Sequence, residues 1–164
     1  MHPSHAQAIA AFPMFQGYTS YGLDSVFEKG VVKELSAGDT LYTQGESASF
    51  VALVVSGSLE MFVETSGQVR TLAHVGPTRL LGELAVLAGA ERVMSARAIE
   101  PSVVLQWDAE SFRRLLAGDA QLSQRIFRET FRSIVEERDS LLVALNAARE
   151  GSGADAPRAR PSGS

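Results

Sequence analysis

The chain has 164 residues, 45% of them hydrophobic and 21% charged, with a formal net charge of −4, which fits one domain around a single hydrophobic core. It contains no cysteine, so disulfides, thiolate metal sites and cysteine nucleophiles are excluded. The acidic balance argues against a nucleic-acid surface, which carries a basic excess, and Arg158 and Arg160 in the tail are too few to reverse it.

No segment approaches the ~18 consecutive apolar residues of a membrane span. The stretch Met1-His2-Pro3-Ser4-His5-Ala6-Gln7 lacks the basic and apolar runs of a secretory signal. A cytoplasmic protein with no membrane contact is expected.

In chain order, residues 1–8 are expected to be flexible and residues 9–148 to fold as the domain. Residues 5–29 read as weakly helical, interrupted at Pro13 and across Gly17 to Gly22. A short helix is expected over Ala6 to Ala11, with Phe12, Met14 and Phe15 as apolar anchors on a neighbouring surface. From about 30 to 107 the pattern changes to short apolar runs: Val31-Val32, Thr40 to Tyr42, Phe50 to Val55, Leu59 to Val63, Val69 to Ala73, Val93 to Ile99 and Val103 to Trp107. Turn signals separate them, among them Ala37-Gly38-Asp39, Gln44-Gly45-Glu46, Ser56-Gly57-Ser58 and Ser66-Gly67-Gln68. Short strands at this spacing with glycine turns predict a β sandwich or barrel. One or two helical turns, Gly82 to Gly89, interrupt it.

Residues 108–148 are expected to be helical. Asp108 is an N-cap candidate with Glu110 in the first turn, and Phe112, Leu115 and Leu116 share one apolar face. Gly118 ends that helix, and Asp119 caps a longer one reaching about Ala148. Leu122 and Ile126 are expected to pack on the β region. Further on, Phe127, Phe131, Ile134, Leu141 and Leu145 make a heptad-like seam, with Arg138 as a polar interruption. The Gly-, Ser-, Ala- and Pro-rich residues 149–164 are expected to be disordered.

The chemistry concentrates in Leu81-Gly82-Glu83-Leu84-Ala85, followed by Arg92-Val93. A glycine lets the backbone approach a ligand closely, and the free N–H groups of a helical first turn attract an anion. Arg92 can add charge-assisted hydrogen bonds of about 1.5–3 kcal/mol each. Glu83 would repel a phosphate but can accept from a ligand hydroxyl, so a nucleotide satisfies the whole set. On these residues alone a second reading stays open: a capped surface helix, with Arg92 paired to Glu83 or Glu91 at the surface.

This segment resembles the phosphate-binding cassette of the cyclic-nucleotide-binding family. So do its surroundings: Pro13 to Gly17 resembles the family's opening segment, Ala37 to Glu46 its glycine turn, strand and Gln-Gly-Glu, and Val54 to Glu60 its next strand–Gly–strand. The resemblance runs from residue 9 to about 140. It implies a mainly β fold with flanking helices, an eight-stranded β-roll of jelly-roll type. It also implies that Gly82, Leu84 and Ala85 offer main-chain contacts, that Glu83 holds a ribose hydroxyl and that Arg92 holds the phosphate. Leu81 stands where the family has Phe. Val93 stands where the family has Ala, Ser or Thr; it removes a hydroxyl donor, which favours cAMP over cGMP, and it threatens to crowd the phosphate. By similarity to bacterial transcription activators of the family, the helix 119–148 dimerises, and Glu137 and Arg138 cover the base as a lid.

The function so implied is a non-catalytic sensor of cAMP, with cGMP or a cyclic dinucleotide as other ligands, that relays a conformational change to a protein effector in trans or belongs to a larger protein. The competing reading is a ligand-free structural or dimerisation module of the same fold. Low-complexity sequence follows the last helix where a helix-turn-helix would stand, so direct DNA binding is not expected. The histidines, His2, His5 and His74, form no metal-ligating cluster on strands. No cofactor, no metal and no catalytic group is therefore expected.

Overall fold

The computed structural model describes residues 3–153 of the chain. Two compact units divide it between Ile126 and Phe127, inside the 9–148 span expected to form one domain.

In the first unit, α1 (Pro3–Ala10), a 3-10 turn (Pro13–Phe15) and α2 (Ser20–Phe27) precede the strands. Helix α1 starts within the residues expected to be flexible, and Ile9 on it is fully buried. Pro13 opens the 3-10 turn, as its fixed φ and missing N–H favour, and drives Met14 and Phe15 into the core. Helix α2 runs through Gly22, where an interruption was expected. Thr19 Oγ1 accepts from the Gly22 N–H at 3.2 Å, and a Cβ at Gly22 would stand 3.1 Å from the Tyr18 ring. The glycine thus admits the ring instead of breaking the helix.

Eight strands follow: β1 (Val31–Leu35), β2 (Thr40–Tyr42), β3 (Phe50–Ser56), β4 (Leu59–Thr65), β5 (Gln68–Val75), β6 (Leu80–Leu81), β7 (Ser95–Ala98) and β8 (Ser102–Asp108). They form two four-stranded antiparallel sheets, ordered β1-β8-β3-β6 and β2-β7-β4-β5. This is the mainly β roll with flanking helices that the sequence resemblance implies. Strand β6 was missing from the periodicity reading because two residues cannot display a period. Strand β7 begins at Ser95, two residues after the run expected from Val93. Between β6 and β7 lies α3 (Glu83–Ala88), and after β8 come α4 (Ala109–Gly118) and α5 (Ala120–Gly153).

Strand β3 shows why the roll holds together. All of Val51 to Val55 are buried, because opposite faces of the strand meet different cores. Val51, Leu53 and Val55 join Phe12, Phe15, Val26, Leu105, Trp107, Phe112, Leu122 and Ile126 under the helices. Ala52 and Val54 join Tyr42, Leu59, Leu81, Ala96 and Val104 inside the roll. A strand apolar on both faces reads as a continuous run rather than an alternation. Each fully buried Val or Leu contributes about 1.5–3 kcal/mol. Trp107 bridges the layers, its Nε1–H donating to the Val26 carbonyl at 2.9 Å.

Asp108 caps α4 by accepting from the Ser111 N–H at 2.9 Å. Asp119 caps α5 by accepting from the Leu122 N–H at 2.8 Å. Its other oxygen accepts from the Tyr18 hydroxyl at 2.5 Å, which ties the N-terminal segment to the start of α5. Arg125 adds bonds to the Met14 and Gln16 carbonyls at 3.0 and 2.6 Å.

The second unit is described here from Phe127 to the end of α5. Phe127, Phe131, Ile134, Val135 and Leu142 are exposed large apolar residues, and the first three follow the expected seam. The side chains of Leu141 and Leu145 lie outside the described residues.

Burial works against ionisation of Asp119, but its bonds from Leu122 and Tyr18 outweigh it and hold the carboxyl below its ordinary value. A depressed folded value means stability present above the unfolded pKa and lost as pH falls through the folded one. Asp119→Ala is therefore expected to cost about 1 kcal/mol at neutral pH. The gap to the unmodified protein should narrow below about pH 4, near the ordinary carboxylate value, as read by thermal denaturation across pH.

Candidate functional site

Arg92 lies in the segment between α3 and β7, yet its side chain turns inward and is only 3% exposed. Its backbone is clamped by the Gln44-Gly45-Glu46 turn. The Gly45 N–H donates to the Arg92 carbonyl and the Arg92 N–H to the Glu46 carbonyl, both at 2.8 Å. The turn is itself closed by the Thr43 N–H on Glu46 Oε2 at 3.2 Å, and the Gln44 N–H donates to Ser95 Oγ at 2.9 Å. The Gln-Gly-Glu signature thus fixes where the arginine leaves the chain.

From there the guanidinium reaches the turn that opens α3. Nη1 donates to the Gly82 carbonyl at 2.9 Å and Nη2 to the Phe50 carbonyl at 2.5 Å. Its carbon lies 4.3 Å from the Tyr42 ring centroid and 4.9 Å from that of Phe50. Cation–π contact is worth about 0.5–1 kcal/mol at exposed sites and about 2 or more when desolvated. Burial lowers the pKa of Arg92, against the opposing pull of Tyr42, Glu46 and Glu83; an arginine remains charged at neutral pH regardless. Burial pushes the Tyr42 phenol up to about 12, so the ring facing the cation is neutral.

Gly82 must be glycine here. Its φ of +79° is left-handed, and a Cβ would sit 2.1 Å from Arg92 Nη1. Glu83 and Ala85 are half-buried on the first turn of α3, and Leu84 is exposed. The main-chain N–H groups of such a first turn have no partner within the helix. At the other end of α3, Arg113 of α4 donates to the Val86 carbonyl at 2.6 Å, so the cassette is tied to the following helix.

The residues singled out in the sequence therefore divide into three groups. Gly82, Glu83, Leu84, Ala85 and Arg92 are brought together. A surface ion pair of Arg92 with Glu83 or Glu91 is overturned, because the guanidinium is buried on main-chain carbonyls. Val93 adjoins Arg92 in the chain and is 70% exposed, so it does not share the burial of the arginine. Glu137 and Arg138 belong to α5, and their side chains lie outside the described residues. Sequence reasoning missed Tyr42, Phe50 and Arg113. Tyr42 and Phe50 looked like ordinary strand residues, and only the closure of the roll brings their rings against residue 92.

Among the described residues, no cluster of three or more His, Cys, Asp or Glu could hold a metal ion, and no helix is long and apolar enough to cross a membrane.

Such a roll, with an inward arginine under a Gly-Glu-Leu-Ala turn, defines a class of domain. Residues 32–119 match the family model described as the cyclic nucleotide-binding domain. The chain belongs to that family. It is 32% identical over 108 residues to the cyclic AMP receptor protein of Thermus thermophilus, covering 63% of this chain and 49% of that protein. An uncharacterised Mycobacterium tuberculosis protein is 35% identical over 91 residues, 56% of this chain and 17% of its own length. The chain thus spans half or less of both relatives. The crystal structure of the Thermus thermophilus catabolite activator protein superimposes with a TM-score of 0.70 at 27% identity, over 82% of this chain and 63% of that one.

Gly82→Ala is expected to cost about 1–2 kcal/mol for the left-handed backbone alone, with the collision against Arg92 added. In an Arg92→Ala background only the backbone cost should remain, so a double-mutant cycle by chemical denaturation reads the contact directly.

Proposed function

We propose that this chain is a non-catalytic sensor that binds a cyclic nucleotide, cAMP foremost, and passes a conformational change to a protein partner. The observation that carries the reading is the Arg92 guanidinium, a buried positive charge whose two hydrogen bonds go to neutral main-chain carbonyls beside the Gly82 turn. A cation in low dielectric attracts an anion more strongly than a hydrated surface arginine, and neither Glu46 nor Glu83, the carboxylates that act on it, accepts those two hydrogen bonds. The cyclic phosphate would take the remaining N–H groups of Arg92 and main-chain N–H groups of residues 82–85. Glu83 would accept from the ribose hydroxyl. The name of the Thermus thermophilus relative supports cAMP as the ligand, and the missing hydroxyl at Val93 disfavours cGMP.

Glu137 and Arg138 would act as the lid over the base, with Arg138 on the purine. The exposed Phe127, Phe131 and Ile134 support a homodimer through α5, since a second copy would cover them. Direct DNA contact is not part of the reading, and the sensor would work in the cytoplasm.

Because Arg92 also braces Gly82 to Phe50, a second reading makes it a structural strut in a module without ligand. The two part on one measurement. A ligand at 100 times its Kd adds about 2.7 kcal/mol of stability. Thermal unfolding with cAMP, cGMP and a cyclic dinucleotide in parallel is expected to show that gain for cAMP first and to lose it in Arg92→Ala. If Arg92→Ala lowers stability while no nucleotide shifts the unmodified protein, the strut reading stands and the sensor reading fails. Phe131→Asp is expected to convert dimer to monomer in analytical ultracentrifugation; an unchanged sedimentation coefficient would remove the α5 dimer.

A further inference from the structure

Tyr42 and Phe50 have no part in the ligand contacts set out above, yet both rings are spent on the guanidinium of Arg92. They come from different sheets, Tyr42 from β2 and Phe50 from β3. Their centroids stand 6.1 Å apart with the ring planes at 63°, so together they make a corner rather than a flat stack. The guanidinium sits in that corner, 4.3 and 4.9 Å from the two centroids. The Phe50 backbone contributes again through its carbonyl, and the Gly82 carbonyl holds the other terminal nitrogen. Two rings and two carbonyls therefore fix both the plane of the fork and its rotation within that plane.

We propose that Tyr42 and Phe50 are positioning residues that hold the Arg92 guanidinium in one orientation, leaving its remaining N–H groups ready for the phosphate of the ligand. This rests on the phosphate role of Arg92 under the proposed function and extends it to residues that touch no ligand atom.

The physical reason is preorganisation. A free arginine side chain has many rotamers, whose loss binding would otherwise have to overcome; one already immobilised loses little more. The corner suits a planar cation. An ammonium offers three donors on one atom and no plane to lie along a ring, so it cannot span the Gly82 and Phe50 carbonyls and face the rings together.

The test uses the full chain, with cAMP as probe and isothermal calorimetry as readout. Tyr42→Leu and Phe50→Leu are each expected to weaken cAMP binding about thirtyfold, the scale of one desolvated cation–π contact. Tyr42→Phe, which keeps a ring, should recover most of that loss. In an Arg92→Lys background the Tyr42→Leu effect should shrink below about twofold, because no planar fork remains to be placed. The ring-current shift of the Arg92 Nε–H proton should fall in each Leu variant and vanish in the double variant, a signature that loosened packing elsewhere would not produce. Phe50 is only half-buried, so Phe50→Leu carries the test if Tyr42→Leu does not fold. Leu variants that fold and bind cAMP like the unmodified protein, while Arg92→Lys binds weakly, overturn the positioning role and leave the sensor reading standing. An equal Tyr42→Leu loss in both backgrounds overturns it too. If the unmodified protein fails to bind cAMP, the sensor reading falls and the positioning role falls with it.

Discussion

A guanidinium withdrawn from water is costly by several kcal/mol unless its surroundings replace the hydration. At Arg92 that replacement is supplied by the nearby Gly82 carbonyl and, from parts of the chain remote in sequence, by the Phe50 carbonyl and the rings of Tyr42 and Phe50. Most of the local design follows from this constraint. Gly82 has no room for a Cβ, the 43–46 turn grips the Arg92 backbone, and Tyr42 stays a neutral phenol at physiological pH. The guanidinium thus touches residues of both sheets, Tyr42 of β2 and Phe50 of β3.

The same economy appears in how the site is tied to the rest of the first unit. Helix α3 is six residues long, too short to be stable without tertiary contacts. Val86 anchors it in the core beneath the helices, and Arg113 of α4 holds its C-terminal carbonyl at Val86. Asp119 and Tyr18 then join the base of α5 to the N-terminal segment. A displacement at the Gly82 turn therefore has packed and bonded neighbours in α4 through which to act.

Much of the fold could be read from residue order because its signals are local. Glycine turns separate the strand runs, Asp108 and Asp119 announce caps, and Pro13 sets a turn. The failures are physical too. Strand β6 has no period to show, the helix through Gly22 depends on a ring stacked against the glycine, and α1 persists because Ile9 finds a buried place. For the site, Gly82, Glu83 and Arg92 were legible as a motif. The orientation of Arg92 was not, since a sequence does not say whether an arginine faces a carboxylate at the surface or a carbonyl inside.

Residue order alone carries the family resemblance, most of the strand runs and their turns, the helix caps and the Gly82-to-Arg92 motif, because each is encoded within a few neighbouring positions or an ordered series of motifs. It took the packed molecule to show that Arg92 is buried, that two aromatic rings enclose it and that Arg113 holds the end of α3. Those contacts join residues between 27 and 50 positions apart, and their free energy exists only once the sheets have closed and water has been excluded between them.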